Sequence, residues 1–240
     1  RGSHSATPRP ARGSSGSGAV NRCIAPADHA LVDGGLGRWH ERSSVPCWST
    51  RQAKLSAITA FEPIAIRSAF VLGSTSEVAK AICKELAGRG CGRFHLVARN
   101  KEANKLLARE LEESYGAAIS TEQTDLLADS SLNPARRPEV SDFDLYLITA
   151  GSLGDAELAR DDASEAMRIQ AANMCGLIPW ITAIASPERL AKPGRLWVFS
   201  SVAADRGRPS NYHYGAAKAA LTAFCEGLFL RCHGKPFAVR

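Results

Sequence analysis

No stretch of the 240 residues reaches the ~18 uninterrupted apolar residues of a membrane-spanning helix, so no transmembrane segment is expected. No Cys-x-x-Cys pair occurs among the seven cysteines, which are scattered at 23, 47, 83, 91, 175, 225 and 232. An odd, scattered set argues against a disulfide framework and implies idle thiols in a reducing compartment, hence a cytoplasmic location. Cys232 and His233 are adjacent but lack further ligands at zinc spacing, so no metal is expected. A basic surface is also missing where it would count. Residues 1–60 carry 8 Lys/Arg against 3 Asp/Glu, and the remaining 180 carry 22 against 21. The net charge of +6 therefore belongs to the N-terminal stretch, and nothing points to a nucleic-acid partner.

What is present falls into two regions. Residues 1–62 are rich in Gly, Ser, Pro and Arg and show no sustained helical or strand period. Arg12 to Gly18 reads as flexible linker, and Arg1-Gly2-Ser3-His4 resembles a vector-derived scar. This region is expected to be a disordered or non-native leader. Residues 67–240 alternate short apolar runs with amphipathic segments. Strands are expected at Ser68–Leu72, Phe94–Ala98, Ala117–Gln123, Leu145–Thr149, Leu196–Ser200 and Phe237–Val239. Helices are expected at Glu77–Ala87, Lys101–Tyr115 and Tyr212–Arg231, with a longer one over roughly Asp161–Ala185 bent by Pro179. The alternation predicts an α/β fold, a Rossmann-like doubly wound parallel sheet in a single domain. Ligands of such sheets sit beyond the carboxyl ends of the strands, near the topological switch point.

The chemically useful residues lie at those ends. The first strand runs into Gly73-Ser74-Thr75-Ser76-Glu77-Val78, where the glycine permits a tight turn and the next helix offers free N–H groups to a pyrophosphate. This turn has one glycine where dinucleotide turns usually have two or three, and Glu77 brings a carboxylate close by. The second strand ends at Ala98-Arg99, which leaves room and positive charge for a 2′-phosphate and favours NADP over NAD. Tyr214 and Lys218 stand four apart on one helix face, and Ser201 lies thirteen residues before Tyr214, past the fifth strand. Carbonyl reduction needs a proton donor at oxygen as hydride reaches carbon. A free tyrosine has a pKa near ~10, and a neighbouring ammonium stabilises the phenolate. Ser201 can hold the substrate oxygen by a hydrogen bond. Tyr212 has Ala216 at the corresponding position and cannot pair with Lys218 in this way.

With these residues the stretch from Ser68 onward resembles the short-chain dehydrogenase/reductase family. The resemblance implies an NAD(P)-dependent enzyme acting on a small carbonyl or alcohol substrate, and a homo-oligomer. It places the catalytic set on Ser201, Tyr214, Lys218 and Asn173, with Asn173 holding a water that links Lys218 to solvent. It assigns cofactor contacts to Gly73, Ser74, Thr75, Ser76, Val78, Arg99, Asp125, Leu126, Ala150 and Gly151, and to Tyr214 and Lys218. Asp125 in Thr-Asp-Leu-Leu resembles the acid that contacts adenine. The Asn-Asn-Ala-Gly turn after strand four reads Ile148-Thr149-Ala150-Gly151, with both asparagines lost. The segment around Ser200 to Leu221 resembles a branch handling sugar carbonyls, the reductases that complete ribose-to-arabinose epimerisation on a decaprenyl-phosphate carrier. A sugar or lipid-linked sugar is then the expected substrate, with Asp205-Arg206-Gly207-Arg208 as a candidate contact.

By the same resemblance the domain is expected to be C-terminally incomplete, ending inside its sixth strand without a further strand, a Pro-Gly turn and a substrate lid. The alternative function is an inactive or truncated nucleotide-binding or scaffold protein of the same fold. A Rossmann-like methyltransferase does not account for Ser201, Tyr214 and Lys218 together, and wants an acid where Ala98 stands.

Overall fold

A computed structural model describes residues 65–128 and 142–240. The expected leader, with Cys23 and Cys47, lies outside them. The first strand, β1 (Ser68–Leu72), is buried along its whole length, as suits a central parallel strand covered on both faces. Ser76 then caps helix α1 (Glu77–Gly88), its hydroxyl accepting the Ala79 N–H. Strand β2 (Arg93–Ala98) follows. Asn100 caps helix α2 (Lys101–Tyr115), which Gly116 ends in the left-handed conformation at φ +67°. Strands β3 (Ala118–Gln123) and β4 (Leu145–Ile148) come next. Helices α3 (Ala163–Asn173), α4 (Ile178–Ile184) and α5 (Pro187–Leu190) precede β5 (Gly194–Val198). The long helix α6 (Tyr212–Arg231) leads to β6 (Phe237–Val239).

The six strands form one parallel sheet in the order β3-β2-β1-β4-β5-β6. Successive strands are added outward on one side from β1 and on the other from β4, so the switch point opens between them. The pleat sends alternate residues to opposite faces. Ala69, Val71, Phe94, Leu96, Leu145 and Leu147 pack against Ala79, Cys83 and Leu86 of α1 and Leu107 and Leu111 of α2. Phe70, Leu72, Tyr146, Ile148 and Leu196 pack on the other face against Trp180, Ile181 and Ile184 of α4 and Leu221 and Leu228 of α6. No described helix is long and apolar enough to cross a membrane.

Two expectations differ from the structure. The segment from 161 to 185 is not one helix bent at Pro179. It breaks at Met174 (φ −141°, ψ −68°), passes through a 3₁₀ turn at Cys175–Leu177, and restarts with Pro179 in the first turn of α4. Pro179 has no N–H to give, so it begins the second helix rather than kinking the first. Strand β5 ends at Val198 rather than Ser200, because the hydroxyls of Ser200 and Ser201 bond to α6 and to the following 3₁₀ turn.

Leu147 is buried in β4 at the switch point. Leu147→Ala is expected to lower stability by about 2–5 kcal/mol, the range for leucines truncated in close-packed cores. Urea unfolding followed by circular dichroism measures it, and a loss below about 1 kcal/mol contradicts this packing.

Candidate active site

The crevice begins where β1 and β4 leave the sheet. Gly73 takes φ +90°, and a β-carbon there would lie 2.4 Å from the Ala150 nitrogen. Thr149 fastens the two exits, its Oγ1 donating to Leu72 O at 3.2 Å and Gly73 O at 3.0 Å. At the start of α1, the Ser76 N–H goes to Gly73 O and the Ala79 N–H to Ser76 Oγ. That leaves the Glu77 and Val78 N–H groups for an external acceptor, at the positive end of the helix. Glu77 itself points to solvent, paired with Lys80 at 2.7 Å.

A cavity of about 270 Å³ opens over this turn. Of the residues expected to contact a cofactor, Gly73, Thr75, Ser76, Arg99, Asp125, Leu126, Ala150 and Gly151 line it. Ser74 is the exception. It is 0% exposed, and its hydroxyl donates inward to Asn104 Oδ1 at 2.6 Å. A second cavity of about 200 Å³ is lined by Val78, Leu153, Phe199, Ser200, Tyr214 and Lys218. The two cavities share Ser76, Thr149, Gly151 and Ser152, so they form one continuous groove.

Lys218 is 4% exposed, and among the described residues no carboxylate pairs with it. Its Nζ donates to Phe199 O at 3.0 Å and lies 5.9 Å from the Tyr214 ring centroid. Burial pushes the Lys218 pKa down. A β-carbon on Gly151 would lie 2.7 Å from Asn173 Oδ1 and 3.4 Å from Lys218 Nζ, so these three residues converge. Asn173 is fully buried. Its Nδ2 donates to Ser152 O at 2.6 Å and Ile169 O at 2.9 Å, and its Oδ1 accepts the Ser152 N–H at 3.1 Å. The amide thus holds the loop after β4. Ser201 Oγ accepts the Ala203 N–H at 3.1 Å, which leaves its proton free to donate.

Several participants escaped the sequence reading. The Ser200 hydroxyl ties α6 to the end of β5 through Thr222 Oγ1 at 2.6 Å and Lys218 O at 3.3 Å. Gln170 of α3 donates to His213 O of α6 at 2.7 Å. Arg168 lines the larger cavity while holding both oxygens of Glu165. Glu165 in turn accepts the Asp155 N–H at 2.8 Å and so supports the β4–α3 loop. The acidic residue three before an arginine on α3 was the available signal.

The short-chain dehydrogenase family model matches residues 67–238. The chain belongs to that family. Among its relatives are uncharacterized oxidoreductases of Streptomyces coelicolor and Mycobacterium tuberculosis. The first is 34% identical over 166 residues, covering 68% of this chain and 65% of that protein. The second is 32% identical over 167 residues, covering 68% of this chain and 66% of that protein. The chain thus spans just under two thirds of the length of these curated relatives. Solved structures share the fold. An actinorhodin polyketide ketoreductase with NADPH superposes at a TM-score of 0.60 with 20% identity, covering 72% of this chain and 67% of that one. An NAD+-bound xylitol dehydrogenase gives 0.59 with 21% identity, covering 72% and 67%.

The Arg168 guanidinium, then the Asp155 N–H, hold the Glu165 carboxyl down at about 2, from an ordinary 4.5. A carboxyl with a lowered folded pKa stabilises the fold above its unfolded value, and that contribution disappears as pH falls through the folded one. Unfolding free energies of the native chain and Glu165→Gln should therefore differ most above pH 4.5 and converge toward pH 2. A difference that stays constant across this window refutes the pairing.

Proposed function

We propose that this chain is an NAD(P)-dependent oxidoreductase that exchanges hydride between a nicotinamide cofactor and an alcohol or carbonyl carbon. One observation carries the reading. A lysine with no carboxylate partner among the described residues is buried one helical turn from Tyr214, and both line the far end of a groove that starts at the glycine turn after β1. Uncompensated burial of an ammonium is costly, and such groups cluster at functional sites.

The groove fits the cofactor. Gly73 admits close backbone approach, and Ser76, which caps α1, lies in the shared middle of the groove, where the start of the helix favours a pyrophosphate. Asp125 and Leu126 line the adenosine end. When bound, the nicotinamide ring supplies or accepts the hydride. Tyr214 gives its phenolic proton to the substrate oxygen, or takes it back in the reverse direction. Lys218 stabilises the phenolate left behind and holds the nicotinamide ribose. Ser201 donates to the substrate oxygen and fixes its distance from the phenol. Asn173 keeps the loop around Ser152 in place beside Lys218. Its side-chain amide is taken up by Ser152 and Ile169, so a water serving Lys218 would have to use another of its atoms.

Arg99 beside Ala98 supports NADP over NAD. The substrate proposed is a small ketone or alcohol, with a sugar keto group or lipid-linked sugar as the narrower reading. Support for it is the two-sided rim of the site. Leu153 and Phe199 present apolar surface at the cavity, and Asp205 and Arg206 are exposed on the loop after the Val202–Ala204 turn.

The test combines turnover, followed by cofactor absorbance against a panel of keto sugars and small ketones, with cofactor titration. Tyr214→Phe keeps the ring and should cut turnover by ~10²–10⁴-fold with binding retained. Tyr212→Phe should leave turnover near normal. The reverse pattern would make the assignment of the acid wrong. Binding without turnover in the unsubstituted chain would favour an inactive nucleotide-binding protein. In the same titrations NADP should bind more tightly than NAD, and Arg99→Asp should invert the order. Equal or tighter NAD binding by the unsubstituted chain rejects the NADP preference.

A further inference from the structure

The buried face of α2 is Asn104, Leu107, Ala108 and Leu111, an i, i+3, i+4, i+7 stripe whose first place is taken by an amide. Asn104 is 1% exposed. Every polar atom of its side chain is used. Nδ2 donates to Leu96 O of β2 at 2.8 Å and to Glu122 O of β3 at 3.4 Å, and Oδ1 accepts from Ser74 Oγ at 2.6 Å. Ser74 Oγ also lies 3.3 Å from Val97 O, which accepts the Gly73 N–H at 2.8 Å and the Ser74 N–H at 3.2 Å. One side chain thus joins the turn after β1 to the ends of β2 and β3. Beyond those ends come Arg99 and Asp125, on the other two segments that line the adenosine side of the larger cavity.

We propose that Asn104 is a positioning residue for dinucleotide binding, holding the Gly73–Ser76 turn in register from below. The inference rests on the dinucleotide reading above. A core contact here needs only an apolar side chain of this size, as the leucines and alanine along the same stripe illustrate. An amide that satisfies both a buried turn hydroxyl and two strand carbonyls does something packing cannot do. It fixes how far the turn stands above the sheet. In this turn Gly73 is the single glycine, so the backbone has little other means of being held close to an anion. Asn104 touches no ligand itself; it acts through Ser74.

The test uses Asn104→Leu and the double variant Ser74→Ala/Asn104→Leu, with thermal melting and titration of each folded protein with NADPH, NADH and adenosine. Adenosine lacks the pyrophosphate. Removing both partners of a buried hydrogen bond restores much of the stability that removing one loses, so the double variant should melt above Asn104→Leu. Its dinucleotide affinity should nevertheless stay about tenfold weaker than that of the unsubstituted chain, with adenosine affinity changed less than about twofold. A merely structural role predicts otherwise, with affinity recovering alongside melting temperature. That recovery overturns the proposal, as does unchanged dinucleotide affinity in either variant or an equal loss for adenosine. If Asn104→Leu does not fold, the double variant decides. An unsubstituted chain that binds neither dinucleotide overturns the functional reading together with this inference. One that binds and is indifferent to Asn104 overturns the inference alone.

Discussion

A β-carbon at residue 73 would lie 2.4 Å from the Ala150 nitrogen, closer than side chains approach backbone, and the crevice depends on that passage. Parallel strands β1 and β4 are neighbours in the sheet, yet their crossovers run to opposite sides. Their exits must part within a residue or two. Gly73 makes this possible through its missing side chain and its φ of +90°. Thr149 then pins the separation by bonding the carbonyls of Leu72 and Gly73. The start of α1, the loop carrying Gly151 and Ser152, and the groove joining the two cavities all take their positions from this point.

The second constraint is the burial of Lys218. An ammonium removed from water with one backbone carbonyl for compensation lowers stability locally. The surrounding packing has to hold it there. Helix α6 comes close to the chain after β5 because Gly215 lacks a side chain; a β-carbon would lie 2.7 Å from Ala203 O. Ser200 and Thr222 clamp the same helix to the end of β5, and Gln170 ties it to α3. These contacts determine where the Tyr214–Lys218 face points, so the lysine's place is imposed by its neighbours and not by any affinity of its own for the site.

Much of this was legible in the chain. β1, α2, α6 and β6 have the bounds that their periodicity and caps indicate, because each ends on a local signal such as Asn100 or Gly116. Tyr214 and Lys218 fall at one end of the groove and Gly73 at the other, while Ser201 is not among the residues lining either cavity. What could not be read were polar residues whose partners are distant in sequence. Asn104 in a charged helix looks like a solvated residue until β2 and β3 are placed beneath it. Ser74 looks like a phosphate ligand until its hydroxyl is seen to face inward. The break at Met174 goes with Gly176, where a β-carbon would lie 2.7 Å from Leu126 O, while Pro179 sits several residues later and begins the next helix. The end of β5 was misjudged by two residues because Ser200 continues an apolar run by composition while bonding as a loop residue.

These buried polar groups share a pattern that bears on how the groove works. The loops around it are held by polar side chains that are buried or partly buried. Ser74 is held by Asn104, Ser152 by Asn173, the Asp155 amide by Glu165, and the Leu72–Gly73 turn by Thr149. None of these anchors needs a ligand to be satisfied, so the loops are ordered before anything binds. Ordering a loop costs roughly 1–2 kcal/mol per residue in backbone entropy. A groove whose loops are already fixed avoids that cost on binding, and its affinity then depends on charge and shape complementarity alone. At the other end of the groove Leu153 and Phe199 are exposed, and the chain after β5 is held there by Lys218 Nζ on Phe199 O and by Ser200 on Thr222. Both ends of the groove are therefore tied to the framework, the turn after β1 through Asn104 and the chain after β5 through α6.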